Sequence, residues 1–278
     1  MKEIKAKEVS ELRAITKAGL MDCKKALLEA KGDMEKAQII LRKKGLATAL
    51  KKSGRSAKEG QIFVKQNSDL SKLAYLRLAS ETDFVSRNDV FQELGTSLVT
   101  SLYESGQEKF LEKIKDDGEL RPLILKTIQV LGENIMVLEC DLLDSSKAVY
   151  RYYLHTNKKL LTVLKAVIKG DNPSTDDVLK GLCMHLAANR VEGITEDMVS
   201  KDMIEAEKKV YLSQDLDKPE ELREKIIAGR VEKFKKQVTM LKQPFLKDAS
   251  KTVGEWLALE EKRLAVKIQI TKFLKISF

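Results

Sequence analysis

The segment ETDFVSRND, residues 81–89, places a carboxylate beside an aromatic ring, at Asp83 and Phe84. The flanking patterns predict a strand before this segment and a helix after it, so the fold itself has no evident need of either side chain. Two interpretations are open. The segment is a turn that serves contact with another molecule, or it is an ordinary helix start in which Asp83 and Ser86 favour capping and Phe84 belongs to the core.

Catalytic residues are scarce in the rest of the chain, which has two histidines, His155 and His185. A nucleophilic pair would have to join Cys183 to His185, yet side chains at positions i and i+2 of a helix point about 200° apart and cannot meet. The motifs HExxH, GxSxG, CxxC, GxxxxGK[ST] and GxGxxG are absent. The sequence therefore predicts no enzyme, and no nucleotide, cofactor or metal bound by this chain. The alternative is a thiol-dependent enzyme that uses Cys23 or Cys183.

The composition is that of a helix-rich globular protein: 278 residues, 43% of them hydrophobic and 33% charged. The 51 basic and 42 acidic residues leave a net charge of +9, which permits contact with RNA, the ribosome or an acidic partner. Aromatic residues make up 5%, too few to favour stacking platforms for single-stranded nucleic acid. Three dispersed cysteines, no signal-peptide pattern and no membrane-length apolar run predict a cytoplasmic protein without disulfides.

The first 50 or so residues contain three short amphipathic segments, each followed by a glycine, at Gly19, Gly32 and Gly45. Each glycine suits the left-handed position that ends a helix, and Asp22 and Asp33 are suited to cap the helices that follow. This pattern predicts a compact three-helix module.

Residues 36–58 carry eight basic side chains and no acidic one. The end of this segment, KKSGRSAKEG, is rich in the small residues of loops. It predicts a basic linker, for which a solvated tether and an RNA contact are both open interpretations.

The central part of the chain alternates between strand and helix patterns. QIFVKQN and KLAYLRLAS predict a hairpin, followed by a helix from Asn88 or Asp89 to Gly106 and by helices near 108–115 and 121–131. NIMVLECDLL returns to strand character, and AVYRYYLHTNKKLLTVLKAVIKG predicts a second hairpin before a helix capped by Ser174 or Thr175. Two related α+β subdomains with antiparallel sheets are therefore expected.

Apolar residues between positions 199 and 241 step by fours and threes, in the series Val199, Met203, Ala206, Val210 and Ile227, Val231, Phe234, Val238, Leu241. Such spacing favours an antiparallel coiled-coil hairpin whose second helix begins after Pro219. Two ordinary surface helices are the alternative. The last segment, VKIQITKFLKISF, predicts a strand that completes one of the earlier sheets.

Several stretches together resemble one family, elongation factor Ts. They are ELRAITKAGLMDCKKAL, AKGDMEKA, LRKKG, ETDFVSRNDVF, GENI, CMHLAA, GR at 229–230 and QPFLKDASKTVGEWL, in the family's order. The chain departs from the family pattern at Ser80, where Cys or Asn is frequent, and in the irregular linker RSAKEG. It ends at LKISF, before a segment that many members carry.

The resemblance implies an α+β fold with three parts: a three-helix, ubiquitin-associated-like (UBA-like) domain at 1–55, a core N-subdomain at 56–145 and a core C-subdomain at 146–278. The coiled-coil hairpin would be an insertion at about 196–241, with a role in self-association as a homodimer or in secondary contacts.

The resemblance also implies a function, guanine-nucleotide exchange on elongation factor Tu, with GDP release promoted by a disturbance of that partner's Mg²⁺ and phosphate site. The exchange motif would consist of Thr82, Asp83, Phe84 and Val85. Partner-binding residues would be Leu12, Arg13, Leu20, Met21, Gly132, Asn134 and His185. A basic ribosome- or RNA-associated protein is the alternative function.

Overall fold

The computed structural model describes residues 4–16, 18–52, 54–214 and 219–278. The chain has mixed secondary structure with antiparallel strand pairs, so the predicted α+β class is confirmed. Contacts divide it into two compact units: the described residues up to Gln66 with Leu73–Leu142 and Phe278, and Asn67–Lys72 with the described residues of Leu143–Ser277. Among the helices of these residues, none combines the length and the hydropathy needed to cross a membrane.

The elements up to residue 144 follow the predicted order. They are α1 (Ala6–Thr16), α2 (Leu20–Glu29), α3 (Met34–Lys52), β1 (Glu59–Gln66), β2 (Lys72–Ser80), α4 (Asp83–Ser86), α5 (Asp89–Ser105), α6 (Gln107–Ile114), α7 (Arg121–Leu131) and β3 (Ile135–Asp144). The first three helices enclose a small apolar core, made of Val9, Leu12, Cys23, Ala26, Leu27, Ala30, Ala37 and Leu41. The three predicted N-terminal helices are thus present.

Of the three helix ends predicted at glycines, one is confirmed, at Gly32. Gly32 follows α2 with φ of 83°, the left-handed conformation that ends helices. Gly19 has φ of −61° and is the N-cap of α2, so Asp22 lies in the first turn of that helix rather than at its N-cap. Asp33 does cap α3, because its carboxylate accepts a hydrogen bond from the Lys36 N–H at 3.0 Å.

Gly45 does not end its helix, because α3 continues to Lys52. The residues after Gly45 are mostly Ala, Leu and Lys, whose helix propensity offsets the cost of about 1 kcal/mol that a glycine imposes on a helix interior. Helix α3 packs against α7, where the carboxamide of Gln129 lies over Gly45. The linker prediction for KKSGRSAKEG is therefore wrong at its first two residues, Lys51 and Lys52, which belong to α3.

A three-stranded sheet and its helices form the core of the first unit. Strands β1 and β2 make the predicted antiparallel hairpin, with Glu59 opposite Ser80, and β3 completes the order β1-β2-β3. Helix α5 has the predicted ends, since the Asn88 side chain caps it and Gly106 follows it. The largest fully buried side chains of this core include Phe91, Phe110, Leu76, Leu78, Leu98, Leu102 and Ile128.

The second unit repeats the strand, strand, helix order. Its elements are β4 (Val149–Leu154), β5 (Leu160–Lys169), α8 (Thr175–Ala188), α9 (Lys201–Gln214), α10 (Glu220–Val238), β6 (Pro244–Phe245), β7 (Asp248–Thr252), α11 (Val253–Leu264) and β8 (Lys267–Ser277), with single 3₁₀ turns at Glu196–Met198 and Met240–Lys242. Strand β8 pairs antiparallel with β5 in a sheet of order β4-β5-β8. The prediction that the last strand completes an earlier sheet is confirmed.

Helices α9 and α10 pack on one another around a small apolar cluster. The cluster joins the start of α9 to the end of α10 through Val199, Phe234 and Val238, with Met203 and Ile204 packed against it. Ile227, Val231, Phe234 and Val238 of the second series are buried, but Ala206 and Val210 of the first series are exposed. The predicted connection at 215–218 lies outside the described residues, and the coiled-coil hairpin stays a prediction.

Candidate functional site

The TDFV turn, residues 82–85, projects Phe84 into solvent. It forms the start of α4, a single helical turn whose N-cap, Thr82, is extended with φ of −126° and ψ of 158°. Phe84 is 83% exposed, the largest exposed fraction among the large hydrophobic side chains of the described residues, whereas Val85 packs against the core. The interpretation of Phe84 as a core residue is therefore wrong. Its ring adds little to the fold and is available to another molecule.

The rest of α4 fixes the backbone under this ring. The Ser86 side chain is buried, and its hydroxyl donates to the Asp83 carbonyl at 2.8 Å. Gln92 of α5 donates from Nε2 to the Ser86 carbonyl at 2.6 Å. The Asp83 carboxylate pairs with Arg87 at 2.9 Å. Because Arg87 is largely exposed, this ion pair is weak and can be exchanged for another at little cost.

One carboxylate ties Thr82 to the loop between α7 and β3. Glu133 Oε2 accepts the Thr82 N–H at 2.9 Å, and Glu133 Oε1 accepts the Thr82 hydroxyl at 2.7 Å. The Thr82 carbonyl accepts the Ser80 hydroxyl at 2.8 Å. Each polar group of Thr82 therefore has a partner. Glu133 had no predicted role, although its place inside GENI, beside two predicted contact residues, was a signal that could have identified it.

A second carboxylate, that of Glu81, accepts a hydrogen bond from the loop between α7 and β3. Glu81 Oε1 accepts the Asn134 N–H at 2.8 Å, and the Glu81 carboxylate lies 3.7 Å from the Arg55 guanidinium. The buried Asn134 side chain donates to the Arg55 carbonyl at 2.5 Å, and Lys52 at the end of α3 donates to the Gly132 carbonyl at 2.7 Å. The structure thus brings two predicted contact residues, Gly132 and Asn134, next to the TDFV turn.

The residues predicted for partner contact in the three N-terminal helices divide by exposure. Leu20 and Met21 are exposed at the start of α2, and Arg13 is exposed on α1. Leu12 has no exposed surface and lies in the small core. It can act on a partner only through the position of α1. Ile15 is exposed on the same helix and had no predicted role.

His185 lies on α8 in the second unit and has no exposed surface. The Leu246 N–H can only donate, so His185 Nδ1, 3.3 Å away, must accept. The proton therefore resides on Nε2, which donates to Gln243 Oε1 at 2.8 Å. Burial lowers the pKa of His185, against the smaller opposing effect of the Gln243 hydrogen bond. His185 is thus a neutral residue that joins CMHLAA to QPFLKDASKTVGEWL, and it reaches a partner only through the elements that it holds.

The three cysteines have environments that disfavour thiolate chemistry. All of them are buried. Burial raises the pKa of Cys140 to about 11 and that of Cys183 to about 12, and the Cys183 thiol donates to the Arg151 carbonyl at 3.2 Å. A nucleophilic cysteine needs a lowered pKa and access to substrate. The described geometry gives no support to a thiol-dependent enzyme.

Comparisons with known proteins agree with the motifs and with the geometry. The family model described as Elongation factor TS matches residues 81–277. A protein named Elongation factor Ts from Clostridium botulinum (strain Alaska E43 / Type E3) is 35% identical over 278 aligned positions, which cover 98% of this chain and 92% of the relative. One of the same name from Rickettsia prowazekii (strain Madrid E) is 36% identical over 283 aligned positions, covering 98% and 91%. With this identity across almost its whole length, the chain belongs to the elongation factor Ts family of translation factors.

Proposed function

We propose that this chain is a guanine-nucleotide exchange factor that binds elongation factor Tu and promotes release of GDP during translation elongation. The observation that carries the proposal is the 83% exposed ring of Phe84, on a turn tied to its neighbours by two carboxylates. A large apolar side chain held outside the core is well suited to become the central anchor of an interface. Because the turn is ordered in advance, less conformational entropy is lost when the partner binds.

The proposed mechanism acts on the partner's nucleotide site without touching the nucleotide. Mg²⁺ neutralises phosphate oxygens and demands near-ideal octahedral geometry, so a small displacement of its surroundings weakens GDP binding. Phe84 enters between elements of the partner, and Asp83 exchanges its pairing with Arg87 for contacts in the network around the metal. Thr82 and Val85 fix the backbone of the turn.

Exchange changes binding affinities and forms no covalent bond. If the factor weakens GDP binding by some ratio, GDP must weaken the factor's binding by the same ratio. The complex of factor, partner and GDP is therefore an intermediate of the exchange reaction. Excess GTP sets the direction of exchange. Because the proposed partner works in translation, we propose that the protein acts in the cytoplasm.

Three further parts of the proposal concern the domains. The helices of residues 1–55 act as a UBA-like partner-binding domain through the exposed side chains Arg13, Leu20 and Met21, with Leu12 as their internal support. Residues 56–145 and 146–278 are the two core subdomains. Residues 196–241 form an antiparallel coiled-coil hairpin for self-association, supported by the cluster between α9 and α10.

The alternative, an RNA-associated basic protein, finds less support in the basic segment. Lys36 pairs with Asp33 and Lys44 pairs with Glu29. Lys52 donates to a backbone carbonyl in the same chain. The carboxylates of Asp33 and Glu29 offset part of the positive charge of this segment, although both ion pairs are exposed and weak, and Lys52 is held by a backbone carbonyl.

The test is release of a fluorescent GDP analogue from elongation factor Tu, followed by stopped flow in excess unlabelled GDP. We expect the chain to accelerate release to a plateau as its concentration rises. We also expect the relative acceleration to shrink when Mg²⁺ has been removed by a chelator, because the disturbance then has no metal to act on. No acceleration by the folded chain would contradict the proposal and would favour the RNA-associated alternative.

A further inference from the structure

Two short segments of the first unit are joined by reciprocal hydrogen bonds, in which the glutamate of each segment accepts a backbone N–H of the other. Glu81 and Thr82 directly follow β2, and Glu133 and Asn134 directly precede β3. Glu133 accepts the backbone N–H of Thr82 at 2.9 Å, and Glu81 accepts the backbone N–H of Asn134 at 2.8 Å. We propose that Glu133 is a positioning residue for exchange, which holds the TDFV turn so that Phe84 is presented to the partner before contact. This inference rests on the proposed function.

A carboxylate is suited to this place because Thr82 presents two donors to it. An ionised carboxylate only accepts hydrogen bonds, and its two oxygens accept the Thr82 N–H and hydroxyl at the same time, at 2.9 and 2.7 Å. Bonds to a charged acceptor are stronger than those between neutral groups. Glutamine is the nearest substitute, since its oxygen still accepts the N–H and its amide group can donate to the hydroxyl oxygen.

Glu133 binds Thr82, two residues before Phe84, so its effect can be separated from that of a contact residue. Without Glu133 the N-cap of α4 loses the partner of the Thr82 N–H and of the Thr82 hydroxyl, and keeps the bond from the Ser80 hydroxyl to its carbonyl. The turn must then be ordered when the partner binds, and that cost reduces affinity. Once Phe84 is inserted, the partner itself holds the turn, so the plateau rate of GDP release is less affected. Loss of the Phe84 ring has the opposite pattern, with a reduced plateau.

The experiment compares Glu133→Ala, Glu133→Gln and the control Glu108→Ala, which removes an exposed carboxylate from α6 in the same unit. For Glu133→Ala we expect the concentration of factor at half-maximal GDP release to rise roughly tenfold, the value of one charged hydrogen bond. The plateau should fall much less. Glu133→Gln should restore most of the affinity, and Glu108→Ala should match the wild type. An unchanged half-maximal concentration in Glu133→Ala would overturn the positioning role.

A second measurement without the partner keeps this inference separate from the proposed function. Hydrogen–deuterium exchange by mass spectrometry, on peptides that cover residues 80–86, should show faster amide exchange in Glu133→Ala than in the wild type. The urea midpoint should show that the variant remains folded. If the wild type failed to accelerate GDP release, the proposed function would fall, and this comparison alone would decide whether Glu133 fixes the turn. Equal amide exchange in both proteins would overturn it.

Discussion

At the scale of single residues, Phe84 and His185 have opposite environments. Phe84 is the most exposed large hydrophobic side chain of the described residues, whereas His185 has no exposed surface. The ring of Phe84 is free to enter a partner. The ring of His185 is held by Gln243 on one side and by the Leu246 N–H on the other. The first is suited to contact, and the second to holding the C-terminal segment on α8.

The buried, neutral state of His185 predicts a pH-dependent stability. Its pKa is lowered in the folded state, so the unfolded chain binds the proton more readily. The contribution is fully present above the unfolded pKa of about 6.5 and is lost as the pH falls towards the lowered folded value. Urea unfolding at pH 7.5 and 5.5 should show a loss of at most about 1.4 kcal/mol per pH unit from this residue.

Two variants isolate that contribution. His185→Gln cannot take up a proton, so its stability should fall less between pH 7.5 and 5.5 than that of the wild type. His155→Gln is the matched control, because His155 follows β4 and its ring contacts the Asn157 side chain, whereas the ring of His185 contacts Gln243. It should keep the wild-type slope. Equal slopes in His185→Gln and the wild type would show that His185 is not the group that titrates.

The sequence predicted the residues around the site better than their roles. The TDFV turn, Gly132 and Asn134 do lie together. The apolar pattern of α8 alone favours a buried His185, whereas the family resemblance implies a contact residue. The role of Glu133 was not predicted, because it depends on a hydrogen bond to Thr82, 51 positions earlier in the chain. Such a long-range pairing leaves no periodic pattern in the sequence.

At the scale of elements, two glycines inside helices meet very different neighbours. A methyl group added at Gly95 in α5 would lie 2.2 Å from the ring of Phe63, which is packed in the core. For a methyl group added at Gly45 in α3, the nearest atoms would be those at the end of the Gln129 side chain. That flexible group is half-buried and can rotate away, whereas the Phe63 ring cannot.

The same substitution should therefore have opposite results at these positions. Gly95→Ala should destabilise the protein by about 2 kcal/mol, because overpacking exceeds the gain in helix propensity. Gly45→Ala should leave stability unchanged or raise it by up to about 1 kcal/mol. Urea midpoints of the two variants provide the measurement. A loss at Gly45 as large as that at Gly95 would show that Gln129 cannot move.

Hairpins were predictable because the apolar period changes from helical to alternating where β1 and β4 begin. The end of α3 was not, because the choice between a glycine stop and a continuous helix depends on packing against α7, about 80 positions away in the chain. The heptad-like series was informative for α10 and not for α9, where Ala206 and Val210 are exposed. Spacing defines a face of a helix, but tertiary structure decides whether that face is covered.

At the scale of the whole molecule, the proposed self-association can be tested on exposed apolar side chains of the two paired helices. Val210 of α9 and Leu222 of α10 are about half-exposed among charged neighbours. A second copy would cover them, so Val210→Lys with Leu222→Lys should lower the mass measured by light scattering to that of one chain, 31.4 kDa. The matched control is Leu246→Lys with Leu259→Lys, which alters equally exposed residues elsewhere. If the control and the test variant had the same mass, α9 and α10 would not be the interface.

The central claim is that Phe84 drives GDP release, and the plateau rate of release from elongation factor Tu tests it most directly. Phe84→Ala should fold with a wild-type urea midpoint, since the ring lies outside the core, and should reduce the plateau rate by at least about tenfold, as expected for loss of an interface anchor. Leu111→Ala, which truncates another exposed apolar residue of the first unit, should have the wild-type rate. A folded Phe84→Ala variant with the wild-type plateau would contradict the claim.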